Sequence, residues 1–426
     1  MGAARDPRLA GRKRSVAATM RVIPYNESRV VHDADAHIME WPTWLMDHAD
    51  PAVRERLQPL DYGDDGARNM LSMDRLRAKH ESEEYRASEA AEIMARKNFW
   101  ATGGFIAEDR SRALDLLGFS SQLVFNTFNN GRFVRAEHGD NPFLAGAPGR
   151  GGGDLDLAYG VAEAHNRGMI DFCSADRRLL PTLYVPLADF ERSAVTAARA
   201  VEQGAAALLV PSACPVGHSP SHVGLDPVWR TAEEAGIPVV FHVGGGGELL
   251  DKTYFQNGRP LPPDFHGGAE NFRSVDYMAI PGPPMQTLAT MIFDGVLERF
   301  PRLKIGVIEQ GAIWVPSWLR QMESAVEAFG RHEERLQALK LRPTEYVQRQ
   351  VRVTPYPTED VGWITAQVGP DICLFSSDYP HVEGGRKPIE RFEASLGDAS
   401  DEVRQHFYCD NFLDLMGTAV HSLVSA

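Results

Sequence analysis

Several apolar runs of this chain end in side chains that can bind a metal ion or transfer a proton. Asp35 ends the first run and His37 follows two residues later, and side chains at i and i+2 of an extended segment point to the same side. Two later runs end in His242 and Asp378. Asp35, His37, His242 and Asp378 together form a mixed nitrogen and oxygen ligand set that suits zinc, and also manganese. A lone aspartate at such a place is more often a helix cap and a lone histidine a satisfied core group, so the metal interpretation depends on the combination.

Three further side chains are candidates for roles around that predicted site. Glu309 ends another apolar run, and His381 follows Asp378 by three residues. We predict Asp378, Glu309 and His381 as catalytic residues, because carboxyl and imidazole groups transfer protons in enzyme sites. Glu40, three residues after His37, could orient that ring by accepting a hydrogen bond. An exposed loop carboxylate is the alternative for Glu40.

The elements that must position these residues alternate between strands and helices. We predict eight strands, with starts near residues 30, 121, 180, 206, 239, 304, 351 and 372. Eight alternating strands and helices predict an α/β fold, a (β/α)8 TIM barrel whose active-site loops follow the carboxyl ends of its strands. Residues 67–98 predict a helical insertion after strand 1, and helices from about residue 388 close the chain. A doubly wound open sheet is the alternative, but no GxGxxG motif follows an early strand to support it.

Composition and charge narrow the classes of partner and the location. The chain has 426 residues, of which 43% are hydrophobic and 24% charged, and its formal net charge is -14. This acidic balance argues against a nucleic acid or a membrane surface as a partner, since both normally require a basic patch. Four scattered cysteines fit a reducing cytoplasm, and no apolar stretch is as long as a membrane span. We therefore predict a cytoplasmic protein.

The first residues differ in character from the rest of the chain. Residues 1–28 contain five arginines and lack the apolar centre of a secretory signal. We predict that they form a disordered basic extension, with an organellar transit peptide as the alternative. Residues 29–426 are predicted to form a single domain.

Four motifs in this chain resemble those of a known family. The motifs are Asp33-x-Asp35-x-His37-x-x-Glu40, Pro238-x-x-Phe241-His242, Glu309-x-Gly311-x-x-Trp314 and Ser377-Asp378-Tyr379-Pro380-His381. Over about residues 30–418, the chain resembles the amidohydrolase-related family, and within it the aminocarboxymuconate-semialdehyde-decarboxylase-like branch of metal-dependent TIM-barrel enzymes. The resemblance implies one divalent ion, zinc first and manganese second, and a homodimer. It also implies decarboxylation or hydrolysis of a small carboxylic acid, aromatic or unsaturated.

The resemblance also assigns metal ligands, with two departures. It matches Asp35 and His37 to the metal pair of the first strand, His242 to the ligand of the fifth and Asp378 to the ligand of the eighth. Many members have His-x-His where this chain has Asp35-x-His37. Many decarboxylases of the group have a catalytic histidine where Glu309 stands, which weakens a plain decarboxylase assignment.

The same residues leave two reactions and one inactive alternative open. In a decarboxylase, protonated Asp378 would give its proton to the carbon that loses carbon dioxide. In a hydrolase of an amide, a lactone or a C–C bond, the ion would lower the pKa of a bound water and Asp378 would take its proton. Glu309 or His381 would then protonate the leaving group. A barrel that binds a ligand without catalysis is the third alternative.

Overall fold

Seven parallel strands form one sheet in the order of the chain. The computed structural model describes residues 23–27, 29–60, 73–138, 154–247, 249–260 and 273–424. The strands are β1 (His32–Ile38), β2 (Ser121–Asn126), β3 (Leu179–Tyr184), β4 (Ala207–Leu209), β5 (Val239–His242), β6 (Ile305–Ile308) and β7 (Val351–Val353). Each strand begins within two residues of its predicted start, so the predicted parallel α/β architecture is confirmed.

All residues of these seven strands are buried. A parallel sheet has this property when helices cover its outer face and side chains fill its inner face. Strands buried on both faces usually appear in the sequence as short apolar runs, as β4 and β6 do. β1 instead contains two histidines and two aspartates, two of which belong to the predicted site.

Helices connect the strands and close the chain. Between β1 and β2 the described helices are Trp44–His48, Pro51–Arg54, Met73–Glu81, Glu83–Glu92 and Ala107–Leu117, with a 3-10 turn at Asn98–Trp100. The helices between β2 and β7 are Asn130–Glu137, Leu155–Cys173, Phe190–Glu202, Asp226–Ala235, Ser274–Ala279, Gly282–Phe293, Val296–Arg299, Val315–Phe329, Glu334–Gln337 and Pro343–Gln350, with 3-10 turns at Val223–Leu225 and Lys252–Phe255. After β7 come Val361–Val368, Pro388–Leu396, Asp401–Gln405, a π-helical turn at His406–Asp410, Asn411–Met416, a 3-10 turn at Gly417–Val420 and His421–Val424.

The predicted insertion at 67–98 begins outside the described residues, and its described part is mostly helical. Within the described ranges, no helix combines the length and the apolar character that crossing a membrane requires.

The predicted eighth strand is not part of the regular ladder but contacts both edges of the sheet. Residues 372–377 contain no assigned strand. Leu374 N donates a hydrogen bond to Val353 O of β7 at 3.1 Å, and Ala34 N of β1 donates to Phe375 O, also at 3.1 Å. The sheet is therefore curled so far that its first and last strands bind the same segment.

Ordered contacts begin before the predicted domain boundary. Tyr25 N donates to Leu116 O at 2.8 Å, and Asn26 N donates to Leu117 O at 3.0 Å. Both residues belong to the predicted extension, whose residues 1–22 and 28 lie outside the described chain. The part of the chain that packs on the sheet therefore starts no later than Tyr25.

Candidate metal centre

Four side chains singled out from the sequence converge at the carboxyl ends of three strands. Asp35 and His37 lie on β1, His242 is the last residue of β5, and Glu309 directly follows β6. One ligand atom from each of these four residues, the ligand cluster, lies within 4.8 Å of the other three. Because β1 and β5 are four positions apart in the sheet, only the curl of the sheet brings these side chains together.

The nitrogen and oxygen atoms of the ligand cluster approach one another closely. Asp35 Oδ1 lies 3.1 Å from His37 Nε2 and 3.3 Å from His242 Nε2. Glu309 Oε2 lies 3.2 Å from His242 Nε2 and 3.8 Å from His37 Nε2. Asp35 and both histidines are buried, while Glu309 is partly exposed. The cluster is thus nearly closed to solvent, with Glu309 on its more open side.

The outer nitrogen of each histidine determines which nitrogen faces the cluster. His37 Nδ1 lies 2.9 Å from the carbonyl oxygen of Asn126, and His242 Nδ1 lies 2.9 Å from that of Val243. A carbonyl oxygen can only accept, so each Nδ1 carries a proton and Nε2 is the nitrogen that each ring turns toward the cluster. Burial lowers the pKa of His37 to about 3, which keeps this ring neutral.

Lone pairs that face one another require a positive charge between them. His37 Nε2 and Asp35 Oδ2 are buried and have no hydrogen-bond partner among the described residues. Against the effect of burial, His37 and His242 hold the pKa of Asp35 below its usual range, so its oxygens are ionised acceptors. Two neutral imidazoles and two carboxylates in this arrangement fit a divalent metal ion.

Asp378 lies beside the ligand cluster and shares a proton with His381. Asp378 Oδ1 is 2.8 Å from His381 Nδ1 and 3.5 Å from His37 Nε2. Thr127 Oγ1 donates to Ile38 O at 2.7 Å, so it accepts from His381 Nε2 at 2.9 Å. Because His381 Nε2 is protonated, the hydrogen bond between Asp378 and His381 holds one further proton, on the carboxyl group or on the ring.

The surroundings of this pair keep its proton at neutral pH. Burial raises the pKa of Asp378, and the Asp35 charge adds to that effect. Burial opposes a charged ring at His381, but the Asp378 carboxylate outweighs it and raises the pKa of His381 to about 9. The pair thus holds a transferable proton at the edge of the ligand cluster.

Glu309 and Asp378 are both held in left-handed backbone conformations. Their φ angles are 54° and 52°, and Asn98 is the remaining described non-glycine residue with a positive φ. Such conformations cost about 1–3 kcal/mol each and persist where the surroundings fix them. Glu309 N donates to Thr354 Oγ1 at 2.8 Å, and Asp378 N donates to Asp35 O at 2.9 Å. Backbone strain at both positions thus aims two carboxylates at one point.

Asp33, also in the first-strand motif, turns away from the cluster. The pairing of β1 with β2 shifts register between Asp33 and Ala36, which marks a bulge in β1. Asp33 Oδ2 accepts from Gln122 Nε2 at 2.9 Å and from Ser377 Oγ at 2.6 Å, and its Oδ1 accepts from Ser377 N at 2.8 Å. Asp33 therefore ties β1 to the residue that precedes Asp378.

The prediction that Glu40 accepts a hydrogen bond from His37 is wrong. The Glu40 carboxylate instead accepts from Thr127 N at 2.8 Å, from Phe128 N at 3.1 Å and from Asn129 Nδ2 at 3.0 Å. Glu40 fixes the loop after β2, which in turn places the Thr127 hydroxyl against the Asp378–His381 pair. The sequence analysis did not single out Thr127, whose one signal is its place at the carboxyl end of a predicted strand.

Gly384 packs so closely against Ser377 and Asp378 that there is no room for a side chain at this position. A Cβ atom there would lie 2.0 Å from Ser377 O and 3.0 Å from Asp378 Cβ. We expect Gly384→Ala to lower the free energy of unfolding by about 1–3 kcal/mol, the usual cost of forcing an extra methyl group into packed structure. At Gly282 a Cβ would meet no atom within 4 Å. Gly282→Ala should therefore change the unfolding free energy by less than about 0.5 kcal/mol, and equal losses in denaturant titrations of both variants would contradict the prediction.

Residues 129–415 match the sequence model of a protein family described as Amidohydrolase. No protein of curated function matches the chain. Among solved structures, an amidohydrolase of Mycobacterium avium subsp. paratuberculosis K-10 is similar at a TM-score of 0.68 and 23% identity, over 92% of this chain and 100% of its own.

Two 5-carboxyvanillate decarboxylases also share the fold. The enzyme of Sphingomonas paucimobilis has a TM-score of 0.55 and 16% identity, over 91% of this chain and 99% of its own. The enzyme of Novosphingobium aromaticivorans DSM 12444, complexed with manganese and 4-hydroxy-3-methoxy-5-nitrobenzoic acid, has a TM-score of 0.56 and 20% identity, over 91% of this chain and 95% of its own. At these identities the likeness shows a common fold.

Proposed function

We propose, from the premise that this chain belongs to the amidohydrolase family, that it is a metal-dependent enzyme that decarboxylates a small aromatic carboxylic acid. The family match extends over residues 129–415, well over half of the chain. The observation that carries the proposal is the set of facing lone pairs in the ligand cluster, next to an Asp378–His381 pair that holds a proton. Membership of the same family supports the interpretation of residues 372–377 as the eighth strand position of a closed (β/α)8 barrel.

We infer that the ligand cluster holds the ion, with Glu309 in the fourth place that the sequence analysis gave to Asp378. Glu309 Oε2 lies 3.2 Å from His242 Nε2, whereas the nearest partner of Asp378 Oδ1 is His381 at 2.8 Å. Two nitrogen and two carboxylate ligands suit zinc, our first expectation, and also manganese, the ion in one structural relative. A bound ion supplies positive charge that orients and polarises a substrate carboxylate.

The structural relatives support an aromatic acid as the substrate class. The decarboxylases with the same fold are named for 5-carboxyvanillate, and one of them is complexed with a nitrobenzoic acid. In this chain, the Phe125 ring lies 4.4 Å from the His242 ring and 6.0 Å from the His37 ring. Phe125 is fully buried, so it packs behind the two histidine rings of the ligand cluster and helps to exclude water from them.

The chain's own residues account for the proton that decarboxylation consumes. The bond between the substrate carbon and its carboxylate breaks, carbon dioxide leaves, and the electron pair stays on the carbon. The proton that Asp378 shares with His381 passes from Asp378 to that carbon, which leaves Asp378 as a carboxylate and His381 as a neutral ring. A solvent proton then restores the shared proton of the pair, while Thr127 keeps the ring oriented.

Hydrolysis is the second candidate, and Glu309 is the observation that favours it. A carboxylate stands where many decarboxylases of the resembling group have a histidine. In a hydrolase, Asp378 would take a proton from the attacking water and His381 would protonate the leaving group, so the same pair would act in the opposite direction.

Product analysis distinguishes the two reactions. We expect protein loaded with manganese or zinc to release carbon dioxide from an aromatic acid, beginning with 5-carboxyvanillate, and to leave the product free of label in H2 18O. A hydrolase acting on an amide or a lactone would place labelled oxygen in its product. Protein stripped by a chelator is the control and should lose at least about a hundredfold in rate.

A negative outcome is also informative. A metal-loaded protein that turns over no acid, amide or lactone would support the ligand-binding barrel and contradict the enzyme. The homodimer and the cytoplasmic location stay predictions, and a light-scattering mass twice that of the chain would support the first.

A further inference from the structure

Lys97 carries an ammonium group that the fold leaves unsatisfied. Its Nζ atom is shielded from solvent and has no hydrogen-bond partner among the residues that the structure describes. Burial lowers the pKa of Lys97 to about 8, so the group is still mostly protonated at pH 7. A buried cation without a partner costs the folded protein about several kcal/mol, so its presence requires a reason.

The position of Lys97 gives that reason, because it lies next to the proposed catalytic loop. Asn98 N donates to Pro380 O at 2.9 Å, which fastens the Lys97 segment to the residues that follow Asp378. Asp378 and Glu383 are the acidic groups that act on the Lys97 ammonium. Neither pairs with it directly, so the ammonium retains its capacity to bind an anion.

The charges facing Lys97 come from every element packed around it. Asp378 and Glu383 are negative and Arg386 is positive. In the proposed function, a divalent ion balances the two carboxylates of the ligand cluster, and the proton shared with His381 balances Asp378. The site then has no net positive charge for a second anionic group, and Lys97 supplies one.

Aromatic side chains flank the same segment. The Phe99 ring lies 6.2 Å from the Phe128 ring, with only 12° between the ring planes, and both side chains are half-buried. Phe128 follows Thr127, which contacts His381. The two phenyl rings thus pack together beside the Lys97 segment and the loop that carries Thr127.

We propose that Lys97 receives a second anionic group of the substrate, a carboxylate or phenolate that the ligand cluster does not hold. The inference rests on the proposed function and narrows its substrate class to aromatic compounds with two anionic groups. A charge-assisted hydrogen bond to such a group would satisfy the ammonium and fix the ring relative to Asp378.

Binding of two simple probes tests the inference on the full-length, manganese-loaded protein. Isophthalate carries two carboxylates and benzoate one, and calorimetry gives both dissociation constants. We expect isophthalate to bind at least about tenfold more tightly than benzoate, a preference that Lys97→Met should abolish and Lys97→Arg should partly keep. The matched control is Lys79→Met, since the Lys79 ammonium is paired with Glu84 at 2.7 Å in the same stretch of chain between β1 and β2. That variant should keep the preference.

Thermal unfolding without ligand provides a second readout. Removal of an unpaired charge by Lys97→Met should leave the melting temperature of the manganese-loaded protein unchanged or raise it. A lower melting temperature would identify Lys97 as a structural partner of Asp378 and Glu383 and overturn the inference. Equal binding of both probes by the wild-type protein, or an unchanged preference in Lys97→Met, would overturn it as well. A Lys97-dependent preference in a protein that neither releases carbon dioxide nor hydrolyses any substrate would support the inference and refute the proposed function.

Discussion

Replacement of Asp378 by asparagine is expected to lower kcat by about 10²- to 10⁴-fold, the range that a positioned acid or base contributes. The asparagine amide has nearly the same shape and can still hydrogen bond to His381, 2.8 Å from Asp378 Oδ1. It has no proton to give to a substrate carbon and cannot take one from water. The variant should therefore fail in either of the two reactions proposed.

The metal content of Asp378→Asn separates a lost proton donor from a lost ligand. We expect about one equivalent per chain to remain, because the ligand cluster does not include Asp378. Asp115→Asn is the control: Asp115 is an exposed aspartate, paired at 2.8 Å with Arg178, and its replacement should leave kcat unchanged. A kcat within tenfold of wild type in Asp378→Asn would exclude Asp378 as the acid or base.

The double variant His37→Ala/His242→Ala should contain almost no metal, whereas the wild-type protein should contain about one equivalent. Both rings turn an unprotonated Nε2 toward the same point, so their removal leaves only two carboxylates. Elemental analysis of the purified proteins measures the difference. Added zinc or manganese at about 100 times its dissociation constant should stabilise the wild-type protein by about 2.7 kcal/mol and the variant much less.

A second pair of histidines provides the control for that experiment. His218 and His222 pack against the Phe190 ring, at centroid distances of 4.4 and 4.5 Å. The double variant His218→Ala/His222→Ala should keep its metal. One equivalent of metal in both double variants would move the metal site away from the ligand cluster.

Much of the fold was predictable because the positions of its strands follow from the apolar character of short segments. Most strands of the curled sheet appear as apolar runs because both of their faces are buried, whereas the equally buried β1 contains two histidines and two aspartates. The segment at 372–377 is the exception, because its apolar run shows burial but not the interrupted pairing with β7 and β1. Apolar character specifies where a segment lies and not which of its amides are bonded.

The candidate site was predictable in its residue types but not in its geometry. The period-two rule places Asp35 and His37 on one side of β1, and their 3.1 Å contact agrees with it. The same rule would add Asp33, which the bulge instead directs to Ser377. A bulge depends on how two strands pair, and the sequence of one strand does not contain that information.

The proton positions could not be predicted from the sequence, because they depend on partners that are distant in the chain or belong to the main chain. The tautomer of His381 depends on Thr127, which is 254 residues away in the chain. Glu40 was expected to orient His37, but that role belongs to a backbone carbonyl. A main-chain oxygen is present at every residue, so no residue type signals it.

The hydrogen bonds between Asp33 and Ser377 also determine when the curled sheet can close while the protein is being synthesised. The two residues are 344 positions apart, so at about 5–20 residues per second the ribosome makes β1 roughly 17–70 s before its closing partner. Through that interval the open edge of β1 offers free backbone groups to other chains. All four residues of the ligand cluster precede residue 372, so a nascent chain truncated there would carry the cluster on an open sheet without the Asp378–His381 pair. Cells that produce this protein would therefore need to shield its amino-terminal strand until translation ends.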